Sequence, residues 1–485
     1  MKTGTQMRAA LVAVMAVALA AGGCGNTSIG AARLQLCETG EGPRDAYCGK
    51  LTVFEDRARQ TGRTIDLKIV VAKALRRDPK SDPLFVLVGG PTGGAATMAE
   101  RLEPMFRPYQ TDRDIVFVDQ RGTGASNPLD CEPPERTLAA LVENPVERLQ
   151  KCLEDLDADP RFYTTAPAMD DIDEVRRYLG YDLINFWGSS YGTRAALVYL
   201  ARHEAAVRSL VLDSAAPIDT PFLLHTPRDG QRALDRLIAD CASQAACARR
   251  FPHLAATVKA VLDQAAKRPT IHMIHPRTGV PIEGVISREL IASTIFYSLY
   301  TPATASLLPQ WLSDAERGDF QGLLSLRLLD GPSLPGTGEG AFLSVHCSED
   351  ASRFTRENAV REASGTFLGT AALDTLFKPC AFWPKGTIET DFYNAPVSQK
   401  PVLVLSGDLD PVLPPALGEQ AAKSLPHARH LVVPGAGHMT SLTGCVPRLI
   451  EKFLETADAG ALDSSCLERL HRPPFVTSRT VGLNP

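Results

Sequence analysis

The chain has 485 residues, 44% of them hydrophobic and 22% charged, shares usual for a folded globular protein and unlike those of disordered, collagen-like or multi-span membrane chains. Lys and Arg total 51 against 56 Asp and Glu, a net charge of -5, so no basic field exists to gather a phosphate backbone and nucleic acid is not an expected partner. The length predicts an enlarged fold or more than one domain, and 37 Gly with 36 Pro predict many turns.

In chain order, residues 1–24 hold Lys2 and Arg8, an apolar stretch over 9–21, then Gly22, Gly23 and Cys24. A cationic start, an apolar run too short to span a bilayer and small residues after it form a secretory signal pattern. Small residues directly before a Cys resemble the bacterial lipoprotein box, although Ala21 stands where that box usually has Leu. On this reading Cys24 is lipidated and anchors an exported protein to a bacterial membrane, facing the periplasm or the exterior. The alternative is cleavage after Ala18-Leu19-Ala20 and free secretion.

Residues 65–71 (IDLKIVV) begin with the alternation of a half-buried strand. The runs at 84–88, 115–118, 183–187, 209–212, 402–406 and 431–433 are instead continuously apolar, the pattern of parallel strands covered on both faces. Helical patterns lie between them. Over 168–179 (AMDDIDEVRRYL) acids come early, Arg176 and Arg177 come late and Gly180 follows, matching the helix dipole and a glycine C-cap. The alternation predicts an α/β fold with a mostly parallel, doubly wound sheet. It stops near Pro217 and resumes at Pro401, with helical pieces at 231–239 and 255–266 between. The expected organisation is a signal peptide over 1–24, a core in two parts, 25–221 and 386–485, and an inserted, mainly helical cap over 222–385.

Eleven Cys are present. With Cys24 set aside, ten remain, an even set that in an exported chain reads as disulfides. The economical pairing joins near neighbours: Cys37 with Cys48, Cys131 with Cys152, Cys241 with Cys247, Cys347 with Cys380, and Cys445 with Cys466. Metal ligation is the competing reading, but there is no CxxC, HExxH or zinc-type cluster, and His272 and His275 read as a strand or loop face. No metal or cofactor is expected.

Gly188-Ser189-Ser190-Tyr191-Gly192 matches G-x-S-x-G between the strand pattern LINFW and the helical pattern TRAALVYLARH. That is the strand, sharp turn and helix of a nucleophile elbow, with Ser190 raised to the C-terminal edge of the sheet. A serine hydroxyl needs a base held by a carboxylate, and in this arrangement the acid and then the His follow the Ser in chain order. Strand 402–406 runs into Gly407-Asp408-Leu409-Asp410, and strand 431–433 into Pro434-Gly435-Ala436-Gly437-His438. Asp410 is preferred because a G-x-x-D step lets its carboxylate turn back toward His438; Asp408 is the alternative. His427, His430 and His471 read as surface or core residues. The loop 89–94 (GGPTGG) lacks the Lys-Ser or Lys-Thr of a phosphate loop, and 336–341 (GTGEGA) follows no strand. The first loop is read as an oxyanion site. Pro91 has no N–H, so the expected donors are the N–H groups of Gly90 and Tyr191.

Together GGPTGG, Asp119-Gln120-Arg121-Gly122-Thr123-Gly124 with Ser126-Asn127-Pro128, GSSYGTRAALVY, GDLDPVLP and GAGH resemble the exported tripeptidyl aminopeptidases related to prolyl aminopeptidase, within the α/β-hydrolase superfamily. The likeness spans about 37–466 and departs at Thr92, where that family has Gly, and at Val88, where prolyl aminopeptidases have His. It implies an α/β-hydrolase fold and a serine exopeptidase releasing N-terminal residues or short peptides from a peptide substrate, with Arg121 bracing loops beside the site. A free α-ammonium group entering a partly desolvated cleft needs a carboxylate. Glu349, with Asp350 beside it, is the expected anion, following Cys347 in a stretch that looks like the Cys-x-Glu-Asp of this family's caps. The alternatives are a secreted carboxylesterase and a non-catalytic hydrolase-like binding protein. Oligomeric state is not legible.

Overall fold

The computed structural model describes residues 33–131, 138, 145–329 and 338–477; the signal pattern and Cys24 lie outside them. Strands that are apolar on both sides persist only where both faces of their sheet are covered, and the chain satisfies this with one nine-stranded sheet. In chain order the strands are β1 (Gln35–Leu36), β2 (Tyr47–Phe54), β3 (Thr64–Ala72), β4 (Leu84–Leu87), β5 (Ile115–Val118), β6 (Ile184–Ser189), β7 (Val207–Asp213), β8 (Thr270–Ile274), β9 (Pro281–Val285), β10 (Val402–Gly407) and β11 (Ala428–Val433). The sheet order is β1-β2-β3-β5-β4-β6-β7-β10-β11. From β5 through β11 all pairs are parallel, and β1, β2 and β3 form an antiparallel edge.

One face packs under helices Thr165–Leu179 and Tyr191–His203, where Ile172, Val175 and Leu197 meet Phe85, Phe186 and Leu212. The other packs under Ala99–Gln110 and Val446–Thr456, through Phe106, Ile450 and Phe453 against Phe117, Val211 and Leu405. Between β7 and β10 lies the inserted block, with helices running from Phe222–Ser243 to Ala371–Cys380. Its core of Leu237, Ile291, Ile295, Leu308 and Leu324 continues onto Val412 and Leu413, just past β10. The insertion is thereby seated over the C-terminal edge of the parallel strands.

Three local expectations are amended. The strand β2 was not anticipated: it lies near the sheet edge and is mostly open to solvent, so it carries no continuous apolar run. The inserted block contains the hairpin β8–β9, on which His272 points outward toward Glu283 at 3.4 Å, while His275 Nδ1 accepts from the N–H groups of Arg277 and Thr278 in the turn. The helix expected over 168–179 starts at Thr165, so its acids fall beyond the first turn. They make ion pairs instead: Asp170 with Arg202, Asp171 with Arg121 and Arg57, and Asp173 with Arg176. Gly180 closes that helix at φ 78°, a conformation glycine adopts without penalty.

Five disulfides are present: Cys37–Cys48, Cys131–Cys152, Cys241–Cys247, Cys347–Cys380 and Cys445–Cys466. Among the described residues no group of three His, Cys, Asp or Glu is placed to hold a metal ion, and no helix is long and apolar enough to cross a membrane.

Candidate active site

Ser190 links β6 to helix Tyr191–His203 at φ 54° and ψ -123°, a region that costs a non-glycine residue strain and needs surrounding structure to hold it. The elbow is held on both sides. The Ser190 N–H donates to the Asp213 carbonyl at 3.0 Å, and its own carbonyl accepts from Thr193 Oγ1 at 2.6 Å. A side chain at Gly192 could not be accommodated, since its Cβ would lie 2.0 Å from the Leu87 carbonyl oxygen. The early Gly loop passes directly beside the nucleophile position: a Cβ on Gly89 would sit 2.9 Å from Ser190 Cβ. Tyr191, the first residue of the helix, has an N–H with no intrahelical acceptor.

The other side of the site comes from the loops after β10 and β11. His438 Nδ1 lies 2.9 Å from Asp410 Oδ2, and Asp410 Oδ1 accepts from the N–H groups of Val412 and Leu413 at 2.8 and 2.9 Å. Asp408 is turned elsewhere; its Oδ1 accepts from the Gly435 N–H at 2.7 Å. Because an ionised carboxylate only accepts, Nδ1 carries the hydrogen and Nε2 is left as the basic nitrogen. The His438 backbone N–H donates to the Tyr300 carbonyl at 2.8 Å, and the two rings lie 5.1 Å apart. Burial lowers the imidazole pKa, but the Asp410 charge and hydrogen bond, with Asp213 behind them, outweigh it and the net shift is upward. For Asp410 burial acts upward, and His438 with the two backbone donors brings the pKa below the usual carboxylate value.

Asp213, unremarked in the sequence, ends β7 with no exposed surface. Its carboxylate accepts from the Thr440 and Ser441 N–H groups at 2.7 and 2.8 Å and from their hydroxyls at 3.0 and 2.6 Å. One residue therefore holds the Ser190 N–H through its carbonyl and the loop after His438 through its side chain. The only sequence signal was an acid closing an apolar run, SLVLD. Arg121 lies where bracing requires: buried, it pairs with Asp171 and donates to the carbonyls of Glu55 and Phe162.

The expectation for Glu349 and Asp350 is corrected by their placement. Both have no exposed surface, and all four carboxylate oxygens already accept protein hydrogen bonds. Glu349 takes the Thr165 N–H at 2.7 Å and the Thr165 hydroxyl at 2.9 Å, and that hydroxyl also bonds the Tyr191 OH at 2.9 Å. Asp350 holds Arg194 at 2.8 Å and His346 Nδ1 at 2.7 Å, while His346 Nε2 reaches the Gly90 carbonyl at 3.4 Å. The two acids brace the inserted block against the elbow helix and the Gly loop; neither faces an open cleft. Cap acids usually read as surface residues, and nothing in the local spelling announces that Arg194, on a different element, is waiting for one.

Burial, only partly offset by Arg194 and the Thr165 bonds, raises the Glu349 pKa to about 7. A folded-state value above the unfolded one means that the stability it contributes is complete below about pH 4.5 and is lost as pH rises through about 7. Gln at this position, without charge, keeps the bond from the Thr165 N–H and replaces the one from the Thr165 hydroxyl by donating its NH₂ to that oxygen. Glu349→Gln is therefore expected to match the parent near pH 5 and to exceed its stability above pH 8, by on the order of 3 kcal/mol. Denaturant midpoints at the two pH values measure this; a difference independent of pH would contradict it.

A family model described as "alpha/beta hydrolase fold" matches residues 82–244 and one described as "TAP-like protein" matches residues 365–466. The chain has the α/β-hydrolase fold and is a hydrolase. This hydrolase is 28% identical over 472 residues to serine protease Hip1 of Mycobacterium tuberculosis, covering 85% of each chain. It is 24% identical over 460 residues to the tripeptidyl aminopeptidase of Streptomyces lividans, covering 87% of this chain and 84% of that one. Among solved structures, proline iminopeptidase of Mycobacterium smegmatis aligns over 85% of this chain and 100% of its own, at 16% identity and a TM-score of 0.40.

Proposed function

We propose that this hydrolase is a serine exopeptidase of the aminopeptidase type that works through an acyl-enzyme. The observation that carries the reading is Ser190 held at a strand-to-helix elbow and tied through Asp213 to the loop of the His438–Asp410 pair, at the sheet edge roofed by the inserted block. Ser190 Oγ attacks the scissile carbonyl as His438 Nε2 takes its proton; His438 then returns the proton to the leaving amine, and water, activated by the same nitrogen, releases the acyl group. Asp410 keeps the imidazole in the tautomer this requires and favours the imidazolium that forms. The N–H groups of Gly90 and Tyr191 receive the oxyanion. Similarity to proteins named serine protease and tripeptidyl aminopeptidase supports a peptide as the substrate.

Five disulfides suit an oxidising compartment, which supports an exported protein. In this proposal residues 1–24 direct export and Cys24 is the lipid attachment point, while residues 222–385 form the cap that restricts entry. The reading is tested with one panel: free-amine di- to tetrapeptide amides, the same peptides N-acetylated, and short acyl esters. The expected result is turnover of the free-amine peptides with the acetylated set cleaved at least tenfold more slowly. Ester hydrolysis with no peptide turnover would overturn the peptidase assignment in favour of an esterase, and equal cleavage of acetylated peptides would overturn the exopeptidase assignment.

A further inference from the structure

The inserted block holds a cleft of about 850 Å³ whose inner wall includes Tyr300 and Val412. These residues touch the acid–base pair: the Tyr300 carbonyl takes the His438 N–H, and the Val412 N–H donates to Asp410. The cleft therefore lies one layer of residues from the acid–base pair, with Tyr300 and Val412 between them.

The cleft lining is cationic. Arg268, Arg288, Arg327 and Lys378 contribute to it, against the carboxylates Glu289 and Asp374, and Asp374 is already paired with Arg356 at 2.8 Å. Among the described residues none of the four cations lies within 4 Å of a carboxylate; Asp263, which acts on Arg288 from further away, is itself held by Lys259 at 2.5 Å. Arg288 and Arg327 are half-buried. The Arg327 guanidinium lies over the Tyr297 ring at 4.7 Å, and its Nε is buried with no acceptor. Elsewhere among the described residues, Arg57 is matched by Asp171 and Glu174, Arg194 by Asp350 and Arg202 by Asp170, and the half-buried Arg232 and Arg353, which lack a carboxylate, donate to backbone carbonyls instead. Removing a cation from water without a counter-charge is unfavourable. A guanidinium fork presented this way fits a carboxylate arriving from outside.

We propose that this cleft receives an acidic peptide segment of the substrate, with Arg288 and Arg327 as the residues that take its carboxylates. The inference rests on the peptidase reading and adds the substrate's chemical class. The same wall repels an α-ammonium group, so the carboxylates it selects are those of side chains or of a short peptide's C-terminus.

The test separates binding from turnover. Fluorescent hexapeptides identical except for two residues, both Glu, both Gln or both Lys, are titrated into the full-length Ser190→Ala protein. The Glu peptide is expected to bind at least tenfold more tightly than the Gln peptide and the Lys peptide more weakly than either, with the Glu advantage shrinking between 50 and 300 mM salt, as for partly screened charges, about 10 Å being the screening length near 0.1 M. Arg288→Gln with Arg327→Gln should bring the Glu-to-Gln affinity ratio close to one, and Arg288→Lys should keep part of it. A variant that merely folds badly lowers both affinities and leaves the ratio. Equal affinities for the three peptides, or an unchanged ratio in the double variant, would overturn the proposal. Selective binding alongside a failure of the wild-type protein to cleave any peptide would leave this inference standing and remove the peptidase reading; cleavage without acid selectivity would do the reverse.

Discussion

Ser190→Ala should abolish labelling by a fluorophosphonate and lower kcat on the order of 10⁴- to 10⁶-fold, the range seen when a triad nucleophile is removed while the oxyanion donors stay. A loss of that size corresponds to roughly 5 to 8 kcal/mol of transition-state stabilisation. The fold should survive it. The backbone bonds that hold the elbow run from the Ser190 N–H to Asp213 and from Thr193 to the Ser190 carbonyl, and neither uses the hydroxyl. Exchanging Oγ for hydrogen at φ 54° leaves the strained backbone in place with its supports intact. The measurements are intact-protein mass after labelling and pre-steady-state turnover of whichever substrate in the panel is cleaved. A labelled Ser190→Ala protein, or one with activity within tenfold of the parent, would show that another residue is the nucleophile.

What could be read from the sequence follows from how locally each feature is encoded. Strands β4, β5, β6, β7 and β10 are buried on both faces almost throughout, so continuous apolar spelling marks them to within two residues. The strand β2 is half-exposed or exposed at every position but Val53, so its spelling looks like loop. The strand-to-helix elbow at Gly188 to Gly192 and the Asp410–His438 contact were legible because each of these segments directly follows an apolar strand. Asp213 was not, since its partners Thr440 and Ser441 lie more than 220 residues away. Glu349 misled because an acid after a cysteine in an inserted block looks exposed; what buries it is Thr165 on the helix below. The cleft cations were equally illegible: Arg288 and Arg327 stand on different helices, and only the packing of the inserted block brings them to one cleft, with no carboxylate within 4 Å of either among the described residues.

The choice between the two acids after β10 gives the other large effect. Asp410→Asn should lower kcat on the order of 10⁴-fold, and Asp408→Asn less than tenfold. An amide at 410 can turn its NH₂ toward Nδ1, which then accepts instead of donating; the hydrogen moves to Nε2, and the nitrogen that should take the Ser190 proton is blocked. At 408 the task is to accept the Gly435 N–H, which the Asn carbonyl oxygen still does. The pH dependence gives an independent check. Catalysis needs neutral His438, so activity falls on the acid side as the imidazole gains a proton. In the parent the Asp410 charge overcomes burial and sets that limb above the ordinary histidine value of 6.5. With the charge removed, burial dominates and disfavours the imidazolium, so the residual activity of Asp410→Asn should persist to lower pH than that of the parent, while Asp408→Asn keeps the parent limb. Equal losses from the two substitutions, or a limb that stays in place in Asp410→Asn, would mean that Asp410 does not govern the protonation of His438.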